Sequence, residues 1–165
     1  MNKERIKFNK PIYAGFCVLQ LSKHKMYDFV YEYVKPKWNN SVEICGGDTD
    51  SLFLHIKTED FYKDIKPDID QWFDTSNFEE NNRFNIKRVN GKVLGKFKID
   101  LKSGDNIPTE FVGLRAKTYN MKIEGEENKI AQKGVPRHKI DNDIDIYKEI
   151  LFNETKSYVD FNNRF

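Results

Sequence analysis

Between residues 12 and 34, bulky apolar residues return at steps of three, four or seven: Phe16, Leu19, Met26, Phe29, Val30, Tyr33 and Val34 fall along one stripe. That period is helical, and Pro11 stands where a first-turn proline fits, because its missing N–H has no intrahelical partner to lose. The spacing predicts one long helix, stopped by Pro36, with its stripe packed against a sheet. The polar run Ser22-Lys23-His24-Lys25 is the place where it would split in two.

Downstream the period shortens. Residues 42–45 and 52–56 are short apolar runs, and Gly46-Gly47 between them predicts a β-hairpin that reverses at the glycines, with the tip Gly46-Gly47-Asp48-Thr49-Asp50-Ser51. Residues 60–73 predict a short helix or two broken by Pro67, and the polar, aperiodic residues 74–90 predict a surface connection. Residues 93–99, 110–114 and 117–123 read as strands, after which the turn Gly125-Glu126-Glu127-Asn128 returns the chain into residues 129–135. Asp141 is placed to cap a last helix with an acidic first turn and with Ile144, Tyr147 and Leu151 on its buried side; the polar tail beyond residue 153 is expected to fray. The fold class expected is α+β: a mainly antiparallel sheet, the long N-terminal helix on one face, the acidic turn at an exposed rim and a short C-terminal helix.

Length changes little in this picture. The 165 residues suit one domain, and 38% hydrophobic with 33% charged residues is a globular mixture. The net charge of +2 does not by itself select a nucleic-acid partner. Lys87, Arg88, Lys92, Lys96, Lys98 and Lys102 surround only one acid, Asp100, so a basic face is one reading of this stretch and ordinary solvation the simpler one. Cys17 and Cys45 have neither metal-like nor disulfide-like spacing, and Cys45 reads as a small buried strand residue. The opening residues lack a leader's apolar centre, and no apolar run approaches the ~20 residues of a membrane span, so an intracellular protein with no membrane partner is expected. His24, His55 and His138 are scattered, which argues against zinc or a histidine base. Asp141-x-Asp143-x-Asp145 is not a calcium loop, since Ile146 and Phe152 stand where its glycine and closing glutamate belong.

Asp48 and Asp50 are the candidates for chemistry. In extended geometry two acids two residues apart point to one side, with Thr49 facing away. Such a pair suits a hard divalent cation that completes its shell with substrate phosphates. Asp and Gly are also common turn residues, so the bare pattern is weak evidence for a metal and a plain turn is the simpler reading.

The wider context is more specific. Gly47-Asp48-Thr49-Asp50-Ser51 between apolar strands resembles the Tyr-x-Asp-Thr-Asp-Ser motif of family B DNA polymerases. In the same order come Leu21-Ser22-Lys23, Met26-Tyr27-Asp28-Phe29, Leu94-Gly95-Lys96-Phe97-Lys98, the run from Phe111 to Tyr119 that ends Lys117-Thr118-Tyr119, and Lys133-Gly134-Val135. Together they resemble the protein-primed viral, organellar and mobile-element branch over residues 11–152, with 153–165 a tail or the start of a thumb. The resemblance implies a partial palm domain and a DNA-directed DNA polymerase chemistry, in which two metal ions promote attack of a primer 3′-hydroxyl on a deoxynucleotide. Under it, Asp50 and Asp48 are the catalytic and metal-binding acids for Mg²⁺ or Mn²⁺, Thr49 and Ser51 support the turn, and Lys117 and Tyr119 grip the primer. The resemblance also implies that Lys133 touches the template-primer backbone and that Gly134 lets the main chain approach it closely. Primer-template DNA and deoxynucleoside triphosphates are the implied partners, with a terminal protein primer and the remaining polymerase segments.

The sequence also departs from the motif. Gly46 stands where the family carries Tyr, and no segment matches the upstream motif with the other metal-binding Asp or the fingers lysine. The isolated chain is therefore expected not to polymerise DNA. The alternatives are a non-catalytic DNA- or protein-binding remnant of a palm and, with less to support it, a metal-dependent nuclease.

Overall fold

The computed structural model describes residues 10–154 and shows an α+β fold. Helix α1 (Ile12–Asp28) runs without a break through a π-helical turn, Phe29–Val34, into α2 (Lys35–Trp38). The predicted stop at Pro36 is thus corrected, and the backbone ladder gives the reason. The Lys35 N–H reaches five residues back to the Val30 carbonyl. Widening the helix just before Pro36 accommodates a residue with no N–H to donate and a ring that crowds the preceding turn.

The apolar stripe divides along its length. Phe29, Val30, Tyr33, Val34 and Trp38 are buried, whereas α1 buries none of its residues and leaves Phe16 61% exposed. The expectation that the whole stripe packs on a sheet is corrected accordingly. Its C-terminal part joins Ile65 and Phe73 in the main core, against which Val42, Leu52, Leu54 and Ile56 of the hairpin are packed. Phe29 stacks on Phe97 at 3.8 Å between centroids, and Tyr33 on Trp72 at 5.3 Å.

Strands β1 (Val42–Asp48) and β2 (Ser51–Ile56) form the antiparallel hairpin. The glycines lie within the strand, Gly46 opposite Phe53 and Gly47 opposite Leu52, and the chain reverses at Thr49 and Asp50 instead. A bulge between Ile44 and Gly46 leaves Cys45 as the extra residue, exposed where a buried one was expected. The predicted broken helix is present as α3 (Phe61–Ile65), a 3₁₀ turn Lys66–Asp68 and α4 (Ile69–Trp72), and the Asp60 carboxylate caps it by accepting the Lys63 N–H at 3.0 Å.

Residues 74–90 correct the surface connection predicted for them. Thr75, Phe78, Asn82 and Ile86 are buried, and Ile69, Phe78 and Ile86 make a second small core. Residues 93–99 form no strand beyond an isolated bridge between Phe73 and Phe97. Positive φ angles at Asn90, Lys92 and Gly95 (61°, 62° and 78°) turn the chain at and just before this stretch and prevent an extended run.

A separate three-stranded antiparallel sheet follows, β3 (Pro108–Arg115), β4 (Thr118–Ile123) and β5 (Lys129–Gln132), in that spatial order. The single palm sheet expected is therefore two sheets. Helix α5 (Ile144–Asn153) packs Ile144 and Tyr147 on Val112. Its cap is Asp143, which accepts the Asp145 N–H; Asp141 accepts the Asp143 N–H one step earlier, and Leu151 is exposed rather than buried. The tail expected to fray lies from residue 155 onward outside the described residues.

Candidate active site

The acidic turn is shaped by close contacts that few residues fit. A Cβ on Gly47 would lie 2.5 Å from the Ser51 carbonyl oxygen, so glycine is required there. At Gly46 the nearest atom to such a Cβ is on Phe53, an ordinary 3.7 Å away. The Asp50 N–H donates to the Asp48 carbonyl at 2.6 Å, closing a three-residue γ-turn on Thr49, whose φ is +58°. A β-branched residue in that region costs on the order of 1–3 kcal/mol, a strain that the surrounding contacts must hold. The Thr49 hydroxyl donates to Asp48 Oδ1 (3.1 Å) and the Ser51 hydroxyl to the Asp48 carbonyl (3.3 Å), so both residues support the turn.

This geometry corrects the extended-strand picture of the acids. Asp48 ends β1, half-exposed, while Asp50 belongs to the bend and is exposed. What joins the two residues is the backbone hydrogen bond of the γ-turn, not strand alternation.

The second element arrives from the other sheet. Ala116 and Lys117 form the β3–β4 turn, with Lys117 at φ +59°, so this lysine precedes the strand predicted to contain it. Its Nζ lies 2.9 Å from Asp48 Oδ1. The Lys117 hydrogen bond is the chief reason why the Asp48 carboxyl sits below the usual carboxylate range, with the Thr49 hydroxyl and the charge of Lys133 acting in the same direction. Lys133 follows β5, and its N–H donates to the Lys117 carbonyl at 3.0 Å. Gly134, at φ +87° with no neighbour where a Cβ would point, serves the backbone turn.

Tyr119 reaches the same region through its ring. Phe53 lies 4.8 Å from Tyr119 and 4.9 Å from Phe111, so an aromatic cluster joins the hairpin to the three-stranded sheet. Phe53 and Phe111 are the site-forming residues that sequence reasoning missed. Both lie in runs that read as strands, but nothing in an apolar run says which sheet its residues meet. Phe53 is also the cross-strand partner of Gly46, so an aromatic ring borders the position where the resembled motif has Tyr.

Asp48 and Asp50 are hard oxygen donors of the kind Mg²⁺ or Mn²⁺ prefers. The Asp50 carboxylate has no hydrogen-bond or ion-pair partner among the described residues, while Asp48 Oδ1 is shared by Lys117 and Thr49. No group of three or more His, Cys, Asp or Glu suited to a metal occurs among the described residues. Two carboxylates fit one part of an octahedral shell, with water and phosphate oxygens supplying the rest.

The basic stretch is largely spent on the fold. Lys96 Nζ donates to the Asp70 and Gln71 carbonyls, Lys98 to the Ser76 hydroxyl and Arg88 to the Ser76 carbonyl. A comparison with protein-family models, a search of curated proteins and a search of solved structures each returned no match.

Proposed function

We propose that this chain is part of the palm of a family B DNA polymerase of the protein-primed branch, contacting primer-template DNA beside a divalent-cation site. The observation that carries this reading is the 2.9 Å approach of Lys117 to Asp48. A palm requires the acidic turn and the Lys-x-Tyr element to share one surface, and these two elements lie far apart in the sequence and in different sheets.

In this reading Asp50 offers a carboxylate with no side-chain partner among the described residues, and Asp48 offers one paired with Lys117 and acted on by the charge of Lys133. Bound divalent ions would supply Lewis-acid stabilisation of phosphoryl oxygens during transfer of a deoxynucleotide to the primer 3′-hydroxyl. Lys117 meets a primer phosphate, and Tyr119, backed by Phe53, presents its ring to the terminal nucleotide. Lys133 adds positive charge along the same backbone.

The test is binding rather than turnover, because the isolated chain is expected not to extend a primer. Mn²⁺ titrated against the chain and followed by electron paramagnetic resonance should bind, and Asp50→Asn should abolish that binding. Primer-template affinity measured by fluorescence anisotropy should fall with salt and drop several-fold in Lys117→Ala and Tyr119→Ala. Absence of cation binding together with DNA binding indifferent to both variants would discard the proposal.

One observation favours the non-catalytic reading. Lys117 already forms an ion pair with Asp48, one of the two candidate acids. DNA binding that survives Asp48→Ala/Asp50→Ala but drops in Lys117→Ala, with no cation bound by the unaltered chain, would select the remnant over the catalytic palm.

A further inference from the structure

Lys117 and Asp48 are each asked to do something that their contact prevents. The ammonium that should meet a DNA phosphate sits on the carboxylate that should meet a cation, 2.9 Å from Oδ1. We propose that Lys117 is a place-holder on Asp48: a divalent cation arriving at Oδ1 displaces the ammonium, which then becomes available to a backbone phosphate. Cation and DNA binding are thereby coupled through one exchangeable ion pair. The inference rests on the palm reading above.

Two features make the exchange physically reasonable, and a third supplies a control. Both side chains are about half exposed, 48% for Lys117 and 44% for Asp48, so water and ions reach the pair and screening keeps it weak. The backbone of Lys117 is held in place, at φ +59° and with its carbonyl accepting the Lys133 N–H, so only the flexible side chain has to move. The charge of Lys133 also acts on Asp48, which provides an internal control: it is a second lysine near the same carboxylate that is not its ion-pair partner.

A purely structural tether between the sheets predicts different behaviour. If Lys117 holds the cation's place, Lys117→Met should tighten Mn²⁺ binding by roughly threefold to tenfold, more than the equal charge change Lys133→Met. In EDTA, Asp48→Asn should tighten primer-template binding by about twofold to fivefold by releasing Lys117, whereas Asp50→Asn should not. That gain should vanish in Asp48→Asn/Lys117→Met, since no ammonium is left to release. Thermal melts of every variant, with Lys117→Arg as the charge-keeping control, check that folding is retained.

Equal effects of Lys117→Met and Lys133→Met on Mn²⁺, or an Asp48→Asn gain that survives without Lys117, would overturn the place-holder and leave the palm reading standing. A chain that binds neither Mn²⁺ nor primer-template DNA would remove both.

Discussion

The ring of Phe53 in the hairpin lies 4.8 Å from the ring of Tyr119 in the three-stranded sheet, and this contact helps bring the two halves of the candidate site together. Phe53→Ala should therefore act on both stability and binding. Removing a half-buried ring is expected to cost about 2–3 kcal/mol in urea denaturation. It should also weaken primer-template binding in proportion, although Phe53 is assigned no contact with DNA. A stability loss with unchanged DNA affinity would mean that the aromatic cluster does not position Tyr119.

The two glycines before the acidic turn should respond oppositely to the same substitution. Gly46 has no left-handed backbone and ordinary space for a Cβ, so Gly46→Ala should stabilise by roughly 0.4–1 kcal/mol, through loss of freedom in the unfolded chain. A Cβ on Gly47 meets a backbone oxygen, which cannot swing aside, so Gly47→Ala should destabilise by about 1–3 kcal/mol and weaken Mn²⁺ binding. Calorimetric melts of the two variants give the comparison directly.

Asn82 should prove to be the keystone of residues 74–90. Its buried side chain accepts the Ile86 N–H at 2.8 Å and donates to the Ile86 and Glu79 carbonyls at 2.7 and 2.9 Å. Asn82→Ala strands those backbone groups away from water, at a cost of about 2–3 kcal/mol. Hydrogen exchange should then accelerate in this segment first. Uniform acceleration across both sheets would contradict its assignment as a local staple.

Alkaline pH should loosen the same region through Tyr62. Burial, helped by the charge of Asp105 and opposed by Arg83, pushes its phenol up to about 12, and its hydroxyl donates to the Gly104 carbonyl at 3.2 Å. A raised folded pKa means that the fold prefers the protonated phenol. The stabilisation is complete below the ordinary tyrosine value of about 10 and is lost as pH rises towards 12. Burial and the nearby Asp68 carboxylate raise Tyr33 in the same sense. Ultraviolet titration of phenolate should show a late-ionising group that disappears in Tyr62→Phe, and the melting temperature of that variant should fall less steeply over this range.

The local chemistry of the sequence determined a good deal. Helical period placed the long first helix, apolar runs placed the hairpin and the strands after residue 108, and Pro67 marked the break between α3 and α4. What these signals share is short range: each depends on residues within one or two turns of chain. The spacing of Asp48 and Asp50 likewise singled out the turn, although the backbone reverses between them in a γ-turn on Thr49 rather than running extended.

Only the tertiary structure decided which surfaces meet. Phe16 and Phe29 belong to one stripe, yet one is exposed and the other buried, because burial depends on where the partner sheet ends. Residues 74–90 looked polar and aperiodic, but Phe78 and Ile86 pack on Ile69 of α4, and the buried Asn82 side chain staples the loop that carries them; which residues of a polar stretch turn inward depends on that distant partner. The meeting of Lys117 with Asp48 is of the same kind. Sequence supplies the two charges, and the packing of Phe53 against Phe111 and Tyr119 brings them within hydrogen-bonding distance.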